Sequence, residues 1–139
     1  MKADAAGQTL VEVVVVIGVI VVLTTGLVSL TTFSLKNSRI SMLKSQAVKY
    51  ASEGIEFVRQ KRDESWTEFQ ALDGVWCLGG GGGLIKSVCT QNVNNFFSRD
   101  VEFIWNAAEE RMEVTVTVGW AEGSNYYETD LDTNFTKWQ

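Results

Sequence analysis

The one ionisable side chain in the apolar first part of the chain is a glutamate. Glu12 is the only charged residue between Leu10 and Leu35, a stretch dominated by valine, isoleucine and leucine. On insertion scales a carboxylate costs about 2.5–3.5 kcal/mol at the centre of a bilayer and less towards its edge. Such a group either reaches back to water at the interface or meets a cation in the apolar layer. Glu12 is therefore the first candidate functional residue.

Two cysteines are the second group that could do chemistry. Cys77 and Cys89 bracket a segment that contains five consecutive glycines at positions 79–83. In an oxidising compartment the two thiols could close this segment as a disulfide worth roughly 2–3 kcal/mol. In a reducing compartment they would remain a free thiol pair. A zinc site is disfavoured, because two thiolates in a chain without histidine cannot complete a tetrahedral shell.

Composition removes several classes of function. The absence of histidine removes the usual base of serine and cysteine nucleophile sites and the commonest transition-metal ligand. The net charge of −5 provides no general basic field for binding nucleic acid. We therefore predict a protein that is not an enzyme, holds no cofactor and does not bind nucleic acid.

Three further motifs begin but are not completed. A phosphate-binding loop needs glycine directly before its Lys-Ser pair, whereas Lys86 follows Ile85, and Leu84 stands where a dinucleotide fingerprint needs its third glycine. The segment 130–134, DLDTN, resembles the opening of a calcium loop, but Phe135 occupies the position that requires glycine. We expect an exposed glycine loop and a solvated outer strand edge instead.

The element that positions Glu12 must be a helix. The stretch from Leu10 to Leu35 is long enough, at about 1.5 Å per residue, to cross a hydrocarbon layer of ~30 Å. Within lipid the backbone must satisfy its own hydrogen bonds, which a helix does. A cleaved secretory signal is the competing interpretation, but its small-residue cleavage site should follow the apolar core. The only such site here, Ala5-Ala6-Gly7, precedes that core.

The start of the chain resembles the type IV prepilin and pseudopilin family. The residues concerned are Gly7, the stretch QTLVE at 8–12 and the apolar run that follows. The resemblance implies that prepilin peptidase cleaves between Gly7 and Gln8 and methylates the new amino terminus, although the family prefers phenylalanine at the position of Gln8. Glu12 then becomes the fifth residue of the mature protein. In a helical assembly it can meet the terminal amine of a neighbouring subunit.

Beyond the membrane the helix is predicted to continue as an amphipathic helix. In the segment 37–66, apolar residues recur at intervals of three and four, which is typical of one helix face. These residues are Ile40, Leu43, Ala47, Tyr50, Ala51, Gly54 and Val58. We predict one helix from Gln8 to about Arg62. Its part 8–35 would span the membrane or form a filament core, and its part 36–66 would enter a head.

The last part of the chain is predicted to form antiparallel β-structure. Residues 99–105 and 112–120 alternate between apolar and other side chains, and a third strand follows near 126–135. The expected inner face comprises Val101, Phe103, Trp105, Met112, Val114, Val116, Val118, Trp120, Tyr127, Leu131 and Phe135. The fold class is therefore α+β, a long N-terminal helix packed on a small antiparallel sheet. The resemblance names this the pilin fold, with a leader at 1–7, an αβ-loop at 67–95 and the sheet at 96–139.

The resemblance also implies a function. It indicates a minor pilin or pseudopilin, a structural subunit of a type IV pilus or a type II secretion-like filament. The implied partners are prepilin peptidase/N-methyltransferase, other pilin subunits, an inner-membrane assembly platform and membrane lipid. The chain would sit in the cytoplasmic membrane with an extracytoplasmic head, and then in a cell-surface pilus or an envelope pseudopilus. The alternative is an uncleaved, single-pass anchored binding module, in which Glu12 only reaches for water.

Overall fold

The computed structural model describes the backbone of residues 5–87 and 89–137, and the side chains from residue 10 onwards within those ranges. Its helices and strands are α1 (Ala5–Glu64), α2 (Trp66–Gln70), β1 (Gly74–Leu78), β2 (Leu84–Ile85), β3 (Phe97–Asn106), β4 (Arg111–Glu122) and β5 (Asn125–Thr136). The predicted α+β arrangement, a long N-terminal helix and a small antiparallel sheet, is confirmed. The chain divides into two units, residues 1–41 and 42–139.

The first unit is the apolar part of α1. By length and composition this helix can cross a membrane, and the large apolar side chains along it are exposed in the single chain. Hydroxyl groups within it donate to backbone carbonyls one turn back: Thr24 to Ile20, at 2.8 Å, and Thr25 to Val21, at 2.7 Å. These hydroxyl groups are thus satisfied inside the helix. An apolar setting can accept them without an unpaired donor.

The second unit is a head built on a five-stranded sheet in the order β2-β1-β3-β4-β5. Every pairing is antiparallel, and β3, β4 and β5 form the predicted meander. Val116 on β4 lies opposite Val101 on β3 and Leu131 on β5, so the apolar positions of the three strands share one face. Strand alternation therefore directs this face to the core.

The helix closes the core of the head with the face that the sequence predicts. Leu43, Ala47, Ala51, Gly54 and Val58 are all buried. Three of these five residues have small side chains or none, so the helix backbone can lie close to the sheet. A Cβ on Gly54 would lie 2.9 Å from Cγ1 of Val116, so the packing of helix on sheet at this point requires glycine.

The segment 67–95 contains more secondary structure than the predicted loop. Ser65 caps α2 by accepting a hydrogen bond from the backbone N–H of Glu68, and α2 inserts Phe69 into the core. Strand β1 then pairs with β3, and β2 pairs with β1. These strands have five and two residues, too short for a periodicity to stand out beside a glycine run. The five glycines form the turn between them.

Candidate functional site

Glu12 lies within the apolar part of α1, and its side chain is exposed in the single chain. Its neighbours Val11, Val13 and Val16 are also exposed. Helical spacing places Val16 and the backbone of Gln8 one turn to either side of it. A carboxylate in such surroundings needs a counter-charge wherever water is excluded.

The predicted processing residues lie at the start of the same helix. The backbone of Gly7 and Gln8 is helical, but the side chain of Gln8 lies outside the described part of the chain. The distance in sequence from Gln8 to Glu12 is one helical turn, about 6 Å along the axis. An amine created at Gln8 would therefore lie one turn above the carboxylate of its own chain. Cleavage at this bond stays a prediction.

The two cysteines form the predicted disulfide. Cys77 on β1 is linked to Cys89, with 5.2 Å between their Cα atoms, and the free thiol alternative is wrong. The link fastens the segment that follows β2 to β1, next to the central strand β3, where Cys77 pairs with Asp100. The glycine turn is therefore closed at its base.

A buried arginine was missed by the sequence reasoning. Arg99 on β3 is only 4% exposed and points towards α1. Its guanidinium donates three hydrogen bonds to backbone carbonyls: Nε to Leu78 at 3.1 Å, Nη1 to Tyr50 at 2.9 Å and Nη2 to Gly79 at 2.9 Å. Burial lowers the pKa of Arg99, with the charge of Glu53 acting in the opposite direction. The group thus joins the helix, β1 and the glycine turn at one point.

Asn92 completes this junction. Its side-chain amide donates to the carbonyls of Leu78, at 3.3 Å, and Arg99, at 2.8 Å, and its oxygen accepts the backbone N–H of Arg99 at 2.7 Å. The alternation of β3 could have revealed the arginine, because Arg99 lies two residues before Val101 and so faces the same way. Nothing in the spacing of Asn92 indicates its role.

The outer face of the sheet carries carboxylates along two strands, β3 and β5, and we call these its two acidic lines. One row across the sheet runs from Asp100 through Thr117 to Asp130, and the next runs from Glu102 through Thr115 to Asp132. The carboxylates thus stand on β3 and β5, with threonines on β4 between them. We call this surface the threonine trough. Its members are Asp100, Glu102, Thr115, Thr117, Glu128, Asp130 and Asp132.

The electrostatics of the threonine trough reflect the closeness of its carboxylates to one another. Burial raises the pKa of Asp100, and the nearby carboxylates of Asp130, Glu128 and Glu102 raise it further. Thr115 donates to Oδ1 of Asp132 at 2.8 Å. Among the described residues, no three histidine, cysteine or acidic side chains are placed to hold a metal ion. The trough is therefore a field of negative charge rather than a chelating site.

An open cleft of about 560 Å³ lies beside the trough. It is lined by Val75, Lys86, Ser98, Asp100 and Tyr126, together with residues of the disulfide segment. The hydroxyl groups of Tyr126 and Ser98 lie 3.3 Å apart, and the tyrosine ring covers Gly119 at the end of the trough. The cleft is open to solvent and does not gather polar groups around a single point.

The tryptophans of the described residues belong to the core and its rim. Trp120 is buried and stacks on Tyr127, with 5.6 Å between ring centroids, while Trp66 meets Trp105 edge-on at 6.1 Å. Trp138 lies outside the described residues. These rings support the packing of helix and sheet and do not form an exposed platform for a ligand.

Comparison with known proteins returns no match, whether to a protein-family model, a characterised protein or a solved structure. The function of the chain must therefore be argued from its own residues.

Proposed function

We propose that the protein is a structural subunit of a type IV pilus or a type II secretion-like filament, of the minor pilin or pseudopilin kind. In this proposal the chain is cleaved after Gly7 and assembles through α1. The observation that carries the proposal is Glu12: a lone carboxylate, one turn beyond the proposed cleavage site, in the apolar first part of α1, where the large apolar side chains are exposed. The helix continues directly into a disulfide-linked head with an antiparallel sheet.

The apolar part of α1 needs a covering. Its valine, isoleucine and leucine side chains are half to three-quarters exposed in the single chain. Exposed apolar surface of this extent is found where a protein meets lipid or other protein. Lipid can cover the helix before assembly, and the helices of neighbouring subunits can cover it in a filament.

Glu12 supplies the specificity of that assembly. Cleavage before Gln8 would create an α-amine at the start of the helix, and the amine of one subunit can neutralise the carboxylate of the next. Pairing two charges in an apolar core offsets two desolvation penalties and fixes how far one helix is shifted along the other. Removing one partner leaves the other charge buried, which costs about 3–5 kcal/mol.

The remaining parts of the proposal follow from the same assignment. Prepilin peptidase/N-methyltransferase would process the chain, and other pilin subunits with an inner-membrane platform would assemble it. The head would be extracytoplasmic, which agrees with the disulfide between Cys77 and Cys89, because disulfides persist in oxidising compartments. The assembled subunit would reside in a cell-surface pilus or an envelope pseudopilus.

The decisive experiment replaces Glu12 with glutamine. Glu12→Gln removes the charge from lipid, so membrane insertion is kept or improved, but the partner amine is left without a counter-charge. At about 3 kcal/mol per contact, incorporation should fall by roughly a hundredfold. The measurement is the amount of this subunit in sheared filaments relative to membranes. Glu110→Gln, at an exposed turn of the head, is the matched control and should behave as wild type.

A second experiment tests processing and separates the proposal from an uncleaved anchor. Amino-terminal sequencing of the membrane protein should begin at Gln8, whereas an anchored binding module would keep Met1. Gly7→Val should block cleavage, because a branched side chain beside the scissile bond obstructs a narrow protease site. A variant that still matures to the shorter size would show that the cleavage site is elsewhere.

A further inference from the structure

The head has a second helix surface that its own sheet does not use. Ser45, Val48 and Ser52 lie on the side of α1 away from the sheet and are exposed. At about 100° per residue, Lys44 and Lys49 stand on either side of this face, each roughly 70° from its centre. From residue 13 to residue 52 the sequence contains no acidic residue. Between Ser45 and Ser52 the free face of α1 is thus a strip of small, neutral side chains with a cation at each border, and the exposed Glu56, which pairs with Arg59, follows one turn beyond Ser52.

The threonine trough has the complementary form. Its two acidic lines stand two strand spacings apart, about 9.6 Å, and a helix with its side chains is about 10 Å wide. Successive rows of the trough lie two residues apart along the strand, about 6.8 Å. Lys44 and Lys49 are separated by about 7.5 Å along the helix axis. A helix seated on Thr115 and Thr117 would therefore bring one lysine to each acidic line.

We propose that the free face of α1 in one copy of this chain docks into the threonine trough of a second copy. The strip from Ser45 to Ser52 lies along the threonines, Lys44 meets the carboxylates of one line, and Lys49 meets those of the other. The inference rests on the proposed function and deepens it, because it assigns the contact between heads in the filament. Charge complementarity selects the occupant: two troughs repel each other, and so do two lysine-bordered helix faces.

The placement of the two surfaces explains why the contact would build a filament. Helix α1 packs on the inner face of the sheet, so its free face and the trough lie on opposite sides of the same head. A contact between two different surfaces is head-to-tail, and each added copy leaves one of each surface open. Such a contact propagates instead of closing as a dimer.

The lysines of the helix face can leave their present partners and pair with the carboxylates of a second copy. Lys49 lies 3.8 Å from Glu53, but both side chains are more than half exposed, and exposed pairs contribute little. In the trough, burial raises the pKa of Asp100, and the nearby carboxylates of Asp130, Glu128 and Glu102 raise it further. A lysine arriving from a neighbour relieves this repulsion as well as forming a new pair.

The test uses the full-length chain in membranes, with two differently tagged copies expressed together. Carbodiimide joins a lysine to a carboxylate only when they touch, so we expect cross-linked peptides that connect Lys44 or Lys49 of one tagged copy with Asp130 or Asp132 of the other. The variant Asp130→Lys with Asp132→Lys removes the carboxylates that this reaction needs, so its readout is incorporation into filaments, which should fall at least tenfold. Adding Lys44→Glu with Lys49→Glu to the same chain should restore incorporation and give new cross-links between positions 44 or 49 of one copy and 130 or 132 of the other, because the charges are again complementary. Glu110→Lys is the matched control and should leave the yield unchanged.

The outcomes separate this inference from the proposed function. If the chain enters filaments in a Glu12-dependent manner but the charge reversals leave incorporation unchanged and the combined reversal gives no cross-link between the exchanged positions, the docking is wrong and the function stands. Cross-links from these lysines to a different protein alone would also overturn docking between copies. If Glu12→Gln is harmless while the reversals act as expected, the heads associate by this contact but the helix assignment fails. The neutral variant Asp130→Asn with Asp132→Asn, checked by circular dichroism, separates loss of charge from loss of folding.

Discussion

Replacing Arg99 tests whether one buried guanidinium holds the head together. Arg99→Met keeps the length of the side chain and removes three charge-assisted hydrogen bonds, each worth about 1.5–3 kcal/mol. The gross loss of roughly 4–9 kcal/mol is offset by several kcal/mol, because the variant no longer buries a charge. The carbonyls of Leu78 and Gly79 also keep a second donor each, from Asn92 and Gly82. We expect a net loss of about 2–4 kcal/mol in the free energy of unfolding.

Arg99→Lys tests the geometry of the guanidinium separately from its charge. The ammonium keeps the buried charge but has no planar fork with which to reach carbonyls on three separate segments. A buried charge with fewer partners is worse than none, so lysine should destabilise the head more than methionine does. This order is the reverse of what chemical similarity suggests.

The assay is urea unfolding of the full chain in detergent, followed by tryptophan fluorescence. Arg59→Met is the matched control, because Arg59 is an exposed arginine whose ion pair, among the described residues, is with Glu56 on its own helix. It should change the free energy of unfolding by no more than about 0.5 kcal/mol. An Arg99→Lys variant as stable as wild type would refute the reasoning, since the three-way geometry would then contribute nothing.

Three further predictions concern the same head. Gly54→Ala should lower the free energy of unfolding by about 1–2 kcal/mol despite the better helix propensity of alanine, because its Cβ meets Val116; thermal unfolding measures this. Replacing Cys77 and Cys89 together by serine should cost about 2–3 kcal/mol, and reductant should then have no further effect on the melting temperature. Asp100→Asn should raise the melting temperature at neutral pH. Because the pKa of Asp100 is raised in the folded head, its charge penalises folding above that pKa, so the gain should vanish as the pH falls below its ordinary value of 3.8.

Local periodicity was sufficient for most of the fold. The alternation around Val101 and Val116 predicted which faces of β3 and β4 are buried, and the three-and-four spacing through Ala47 and Val58 predicted the buried face of α1. These patterns are strong because each element is long and has one solvent-exposed face and one buried face. The disulfide was predicted from the presence of two cysteines and an expected oxidising compartment.

Contacts between distant segments were not predictable in the same way. The role of Arg99 depends on carbonyls 49, 21 and 20 residues away in sequence. No local pattern contains that information. The trough likewise exists only because the register sets Asp100 and Asp130 on either side of Thr117. The short strands β1 and β2 were not predicted, because they are too short to show a periodic pattern. Pairing with neighbouring segments and the disulfide hold them in place.

The glycine turn offers a place for engineering. Gly79 is held by Arg99, Gly82 packs beside Phe57, and the disulfide closes the base of the turn, whereas a Cβ on Gly81 would meet nothing within 4 Å. A peptide inserted after Gly81 would thus extend from a closed base without crossing the core, and lengthening such a loop costs little entropy. The chain could therefore display a foreign sequence on its head, with folding of the sheet left intact.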